Sequence, residues 1–252
     1  MIKRIILYCL FIGCRLVLSA QLTYGVTGLL HAPSAEMQAD KTVMLGGTFL
    51  NKEITPAPWK NNYHTYNYFL NVTFFPWLEV AYTCTLFQSQ TVGITWKVEA
   101  GKFTNQDRYF SARIQVLKEN QFWEYMPAVV IGTSDPYTST GNGRIAPVGG
   151  NGYWSRFYVA LSKFLPIAKE NVGIHASYLY NERKQYPLNG LAAGITCSLS
   201  FLPDLRIIAE YDTKDFAAGF IYLLFKHLHM QVELQRMKYF TGGLAYKIYL
   251  KQ

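Results

Sequence analysis

Residues Leu228–Arg236 read LHMQVELQR. Leu228, Met230, Val232 and Leu234 are apolar, while His229, Gln231, Glu233 and Gln235 between them are polar. Successive side chains of a strand point to opposite faces, so this segment has one greasy face and one polar face. What the greasy face meets, a protein core or lipid, decides the fold.

The same alternation recurs along the chain. In HTYNYFLNVTFF (64–75), Tyr66, Tyr68, Leu70, Val72 and Phe74 oppose Asn67, Asn71 and Thr73. In WLEVAYTCTLF (77–87), Leu78, Val80, Tyr82, Cys84 and Leu86 oppose Glu79, Ala81, Thr83 and Thr85. In RYFSARIQVLK (108–118), Phe110, Ala112, Ile114 and Val116 oppose Tyr109, Ser111, Arg113 and Gln115. Segments 172–180, 191–201 and 242–250 obey the same rule. Amphipathic segments of about ten residues divided by turns are the signature of an outer-membrane β-barrel.

A β-sandwich alternates too, and the connections separate the two. Twelve strands are predicted, at 42–50, 63–74, 77–87, 107–118, 124–133, 153–164, 171–181, 190–202, 205–212, 216–225, 228–236 and 239–250. Connections after odd-numbered strands are mostly long (51–62, 88–106, 134–152 and 182–189), and those after even-numbered strands are short. Membrane barrels sort long external loops from short periplasmic turns in this way. Trp77 beside Phe74 and Phe75, and Trp154 beside Tyr153, place aromatics near strand ends, where a membrane interface favours them. The expected fold is an all-β, antiparallel transmembrane barrel over residues 42–252.

Composition agrees. Half of the 252 residues are hydrophobic, 16 % are aromatic and only 16 % are charged, against about 25 % charged in soluble domains. Residues 1–20 have a basic start (Lys3, Arg4), an apolar middle and a small-residue end, VLSA, as a cleaved export signal does. The expected mature chain starts at Gln21, with 21–41 as a periplasmic or plug segment. Removing the signal takes the net charge from +8 to +5, since it carries three basic residues and no acid. That suits anionic headgroups or an acidic polymer, but no dense basic stripe marks a nucleic-acid partner. Cys84 and Cys197 fall on apolar strand faces, so neither a disulfide framework nor a metal site is expected. No cofactor is implied.

On the polar faces lie Glu79, Arg113, Gln115, Arg206, Glu210, His229, Gln231, Glu233 and Lys247, the expected lining of a polar lumen. His229 and Glu233 read as a hydrogen-bonded lumen pair. His175 and Ser177, two apart on one strand face, resemble the base and nucleophile of outer-membrane lipid A deacylases, with Glu182 or Glu210 as orienting carboxylates. Any lumen-facing strand also offers such a pair, and no catalytic residue is assigned. The loop 134–152 has glycines but no P-loop lysine, so phosphate binding is not expected; Tyr137 and Arg144 could touch polysaccharide.

The stretch GLLHAPSAEMQADKTV (28–43) resembles the N-terminal signature of YjbH-like proteins, with Gly28, Pro33, Ser34, Ala35, Met37, Asp40 and Thr42 in register and Lys41 where that family usually has Gly. FFPWLEVAYT (74–83), YMPAVVIGTSDPYTSTG (125–141) and FYVALSK (157–163) resemble its later segments, in the same order. Pro33 and Ser34 read locally as the capped start of a short helical turn. The resemblance implies an outer-membrane barrel of a Gram-negative bacterium linked to exopolysaccharide or capsule production, without a catalytic set. The expected role is a non-enzymatic accessory to polysaccharide export or assembly, in contact with outer-membrane lipid, surface polysaccharide and periplasmic export proteins. The alternatives are a narrow diffusion channel and a lipid hydrolase using His175 and Ser177.

Overall fold

The alternating segments pair edge to edge and close on themselves. The computed structural model describes residues 20–21, 24–54, 64–88, 103–136, 154–181 and 189–250. Two short strands, β1 (Ala20–Gln21) and β2 (Thr27–Gly28), pair with each other. The barrel follows as β3 (Thr42–Leu50), β4 (Thr65–Phe75), β5 (Leu78–Gln88), β6 (Phe103–Leu117), β7 (Ala128–Ser134) and β8 (Arg156–Ile167). It continues as β9 (Glu170–Tyr180), β10 (Gly190–Ser198), β11 (Leu205–Tyr211), β12 (Phe216–Leu224), β13 (Leu228–Gln235) and β14 (Tyr239–Tyr249). Every neighbour is antiparallel, and β14 pairs with β3, from Gly242↔Phe49 to Tyr249↔Thr42, to close a twelve-stranded barrel. Closure leaves no strand with a free side along its whole length, as a sheet needs in order to cross lipid with its backbone polar groups paired.

Alternation sets the two faces. In β4 the even-numbered Tyr66, Tyr68, Leu70 and Phe74 are exposed outside, while Thr65, Asn67, Phe69, Asn71 and Thr73 are buried inside. Leu45, Ile114, Val159, Ile195 and Leu244 extend the outer apolar belt across other strands. Val, Ile, Thr and aromatic residues suit such a pleated surface.

Several strand limits differ from expectation; β6 starts at Phe103 rather than residue 107, and β8 at Arg156 rather than residue 153. β7 starts at Ala128 rather than residue 124, just after Pro127, which has no N–H for a ladder. β8 runs on to Ile167, past the last residue paired with β7. β10 stops at Ser198, because Leu199–Leu205 turns through the bonds Leu202 N–H to Leu199 O (3.2 Å) and Leu205 N–H to Leu202 O (3.0 Å). Connections at one end are short at 76–77, 168–169, 199–204 and 225–227 and longer at 118–127; this is the turn end. The opposite, loop end carries the long connections. Most of their residues, including Tyr137, Arg144, Tyr153 and Glu182, lie outside the described residues, as do residues 1–19.

Candidate functional site

The barrel wall encloses the segment that precedes it. Every residue from Tyr24 to Glu36 is buried, and so is Gln38. This plug is irregular: among the described residues there is no helix, so the expected helical turn at Pro33–Met37 does not form. Ser34 instead accepts a bond from the Glu36 N–H through its hydroxyl, at 3.4 Å, a turn closed by a side chain. Gly25 has φ +88°, and a Cβ there would lie 2.5 Å from Thr83 Oγ1 and 2.9 Å from Phe69 Cβ, so only glycine passes the wall at that point. Lys41, which leads into β3, has φ 54°, the left-handed conformation that glycine adopts without strain.

An irregular segment inside a barrel has backbone groups without partners, and buried groups of that kind must be paired. The wall supplies three gripping points. Near the turn end, Glu79 Oε1 accepts from Thr27 N–H (2.7 Å), Thr27 Oγ1 (3.0 Å) and Asn71 Nδ2 (2.5 Å), and Arg113 Nε lies 3.6 Å from Glu79 Oε2. Arg113 also donates to the carbonyls of Ser34, at 2.8 Å, and of Glu36. Towards the loop end, the Glu210 carboxylate receives three successive N–H groups of the plug: Leu30 at 3.0 Å, His31 at 2.6 Å and Ala32 at 3.2 Å. Consecutive N–H groups aimed at one acceptor form a nest, which satisfies three backbone donors that would otherwise be orphaned in the interior. The third point reverses the polarity. Plug Glu36 takes a bond from wall Arg206 Nη1 at 2.5 Å and sits 3.7 Å from His175 Nε2.

Between these points the interior is apolar. Leu29, Leu30, Ala32 and Ala35 pack with Val130, Tyr158, Leu179, Ile208, Ile221 and Leu223 of the wall. Polar side chains do not line the whole interior: β12 turns Ala217, Gly219, Ile221 and Leu223 inward, where they face plug and not water. At the loop end Arg156 lies over the Tyr24 ring, 4.4 Å from its centroid, and Trp154 Nε1 donates to Thr85 Oγ1 at 3.1 Å.

The expected lumen residues sit as follows. Glu79, Arg113, Arg206, Glu210, His229, Gln231, Glu233 and Lys247 are buried inside, and Gln115 is half-buried near the turn end. His229 and Glu233 do not form a pair. Four residues of strand span about 13 Å, and Glu233 instead binds His31 Nε2 of the plug. His175 and Ser177 share the inner face, but the imidazole is engaged elsewhere, with Ser162 Oγ at 2.8 Å from Nδ1 and Thr196 Oγ1 at 3.0 Å from Nε2. Ser177 Oγ has no partner among the described residues. Ser162 also accepts from the Ala35 N–H at 2.7 Å, so this histidine belongs to the plug contact. Ser162 and Thr196 escaped the sequence reading, since cross-strand partners have no fixed spacing along the chain.

His31 carries a pH dependence. Burial pushes its imidazole down, but the Glu233 carboxylate outweighs this, helped by Glu210 and Asp212, and its pKa rises from 6.5 to about 9. A group protonated more tightly when folded stabilises fully below its unfolded pKa, and the gain is lost as pH climbs through the folded one. Urea unfolding from vesicles is therefore expected to become easier between pH 7 and pH 9 in the native chain. His31→Gln removes that slope, whereas an equal slope in the variant would assign it to another group.

A family model described as exopolysaccharide biosynthesis protein YbjH matches residues 20–185. The matched span holds the plug, β3 to β9 and the wall residues Glu79, Arg113 and His175, whereas Arg206 and Glu210 lie beyond it. No curated protein matches the chain. Among solved structures, outer membrane phospholipase A from Escherichia coli is 14 % identical, covering 84 % of this chain and 93 % of that one with a TM-score of 0.34. The Salmonella typhi outer membrane phospholipase dimer with bound calcium is 12 % identical over 84 % and 91 % of the two chains, with a TM-score of 0.35. An active-site mutant of the Escherichia coli enzyme is 15 % identical over the same shares, with a TM-score of 0.36.

Proposed function

As a member of the exopolysaccharide biosynthesis protein YbjH family, the chain is one that we propose acts in the outer membrane as a non-enzymatic accessory to export or assembly of surface polysaccharide. The observation that carries this reading is the filled lumen. A barrel whose interior is occupied by its own N-terminal segment, bonded at Glu79, Glu210 and Arg206, works through its surfaces and ends. The loops of one end meet polymer, and the turns of the other meet periplasmic export proteins. Support for the non-enzymatic part is that His175 is held by Ser162 and Thr196. The diffusion channel loses support for the same reason that the accessory gains it: twelve strands enclose a lumen narrower than a porin's, and here it is packed.

The test is surface polysaccharide, retained and secreted, in a Gram-negative strain lacking this chain and in the complemented strain. A loss restored by the native gene, and equally by Ser177→Ala, is the expected result. Unchanged polysaccharide with the barrel present in the outer membrane overturns the export role. Restoration that fails only with Ser177→Ala overturns the non-enzymatic part.

A further inference from the structure

The wall has an unpaired stretch. β7 begins at Ala128, opposite Ser162, whereas β8 continues to Ile167. The β7-side edge of residues 163–167 thus has no strand beside it, and an open edge is not tolerated in lipid. The turn 118–127 closes it. Glu119 Oε1 accepts the Phe164 N–H at 2.9 Å and lies 3.2 Å from Lys163 Nζ, which also donates to Asn120 Oδ1 (2.5 Å) and the Glu124 carbonyl (2.6 Å). Within the turn, Asn120 N–H bonds to Met126 O at 3.0 Å, Met126 N–H to Trp123 O at 3.1 Å and Lys118 N–H to Gln121 Oε1 at 2.9 Å. Met126 roots it, with only 3 % of its surface exposed.

Held in this way, the turn carries three aromatic side chains out of the protein: Phe122, Trp123 and Tyr125, exposed by 70 %, 58 % and 73 %. Rings of this size left in water forfeit the gain that burial of their apolar surface would bring. Their surroundings say what covers them. Ile114 and Val116 of β6, Ile131 of β7 and Leu161 and Ile167 of β8 form the exposed outer belt on the adjoining wall. On the next turn, Phe75 and Trp77 stack with centroids 5.3 Å apart. The patch is continuous with the apolar belt, and its tryptophan and tyrosine have an apolar body and one polar tip, the composition of a membrane–water boundary.

We propose that the turn 118–127 is a membrane-seated anchor, which places Phe122, Trp123 and Tyr125 at the headgroup–acyl boundary of the leaflet at the turn end; this rests on the outer-membrane reading above. A protein-docking turn would stand clear of the belt, whereas this one is bonded flat against the barrel wall by Lys163 and Glu119. It fixes the depth and rotation of the barrel in the bilayer.

The test compares the native chain and Trp123→Phe in phosphatidylcholine vesicles, so that the difference emission belongs to Trp123. Lipids brominated near the carbonyl end of the acyl chains are expected to quench more than half of that difference, and aqueous iodide little of it. Difference emission quenched by iodide and indifferent to brominated lipid overturns the proposal and leaves the turn free in water for a periplasmic protein. The tryptophans remaining in the variant report separately on the barrel. If they too ignore brominated lipid, the membrane reading itself fails.

Discussion

Deleting residues 24–40 is expected to turn a silent barrel into a conducting one. In the native chain the plug fills the lumen from Tyr24 near the loop end to Gln38 near the turn end, with buried contacts to β4, β5, β6, β8, β9, β11 and β13. No plug residue is part of the closed strand ladder, since all twelve pairings lie within residues 42–249. In planar bilayers the native protein is expected to give no steady current, and the deleted one persistent single-channel steps. Heat-modifiable migration on gels would show that both are barrels. Steady conductance of the native chain would mean that the plug leaves the lumen readily, and the accessory reading would then give way to the channel. An intact but silent deletion variant would mean that the wall side chains alone block the passage.

The second large effect is expected at Glu210. Its carboxylate is the shared acceptor of the Leu30, His31 and Ala32 N–H groups and is only 3 % exposed. Glu210→Ala leaves three donors without their acceptor in a dry interior, and it removes one of the carboxylates near His31. Unpaired buried donors cost about 1–3 kcal/mol each, and breaking a buried charged contact costs about 3–5 kcal/mol. Partial collapse and water entry moderate the sum, so a loss of about 4 kcal/mol is expected, read from urea unfolding out of vesicles. Ile207→Val, on the same strand but on the lipid face, is expected to stay within about 1 kcal/mol. Equal effects at the two positions would remove the nest from the account of stability.

Strand phase was legible because it needs only the neighbouring residues. The alternation around Leu228–Gln235 and Thr65–Phe75 determines which side chains face in and which face out, and a closed sheet follows once long and short connections alternate. The identity of the lumen's contents was not legible from that pattern. Glu79, Arg113 and Glu210 read as polar lining for water, yet each one holds plug backbone. Which N–H meets which carboxylate depends on how the plug bends. Its bends at Gly25 and Ser34 leave no periodic trace. One signal was present: in β12, FAAGFIYLL, both faces are apolar. Such a strand makes no sense against a wet lumen and fits a packed one. The capped helical turn failed for a related reason. The groups that satisfy Pro33–Glu36 come from Ser162, Arg113 and Arg206 across the lumen, and these contacts favour an irregular path over a local helix.

The seam between β3 and β14 has a consequence for how the protein is made. These strands are the first and last of the barrel, so closure must bring together residues about 200 positions apart. Bringing such distant segments together costs loop entropy and makes formation slow. The plug is synthesised before either strand. Its partners run from Asn71, Glu79 and Arg113 in the early strands, through Ser162 and His175, to Glu210 and Glu233 in the late ones. An early half-barrel can therefore gather around the plug and present the Leu30–Ala32 nest to the strands still arriving. The same segment that stops traffic through the finished pore would act during assembly as the mandrel on which its two halves are joined.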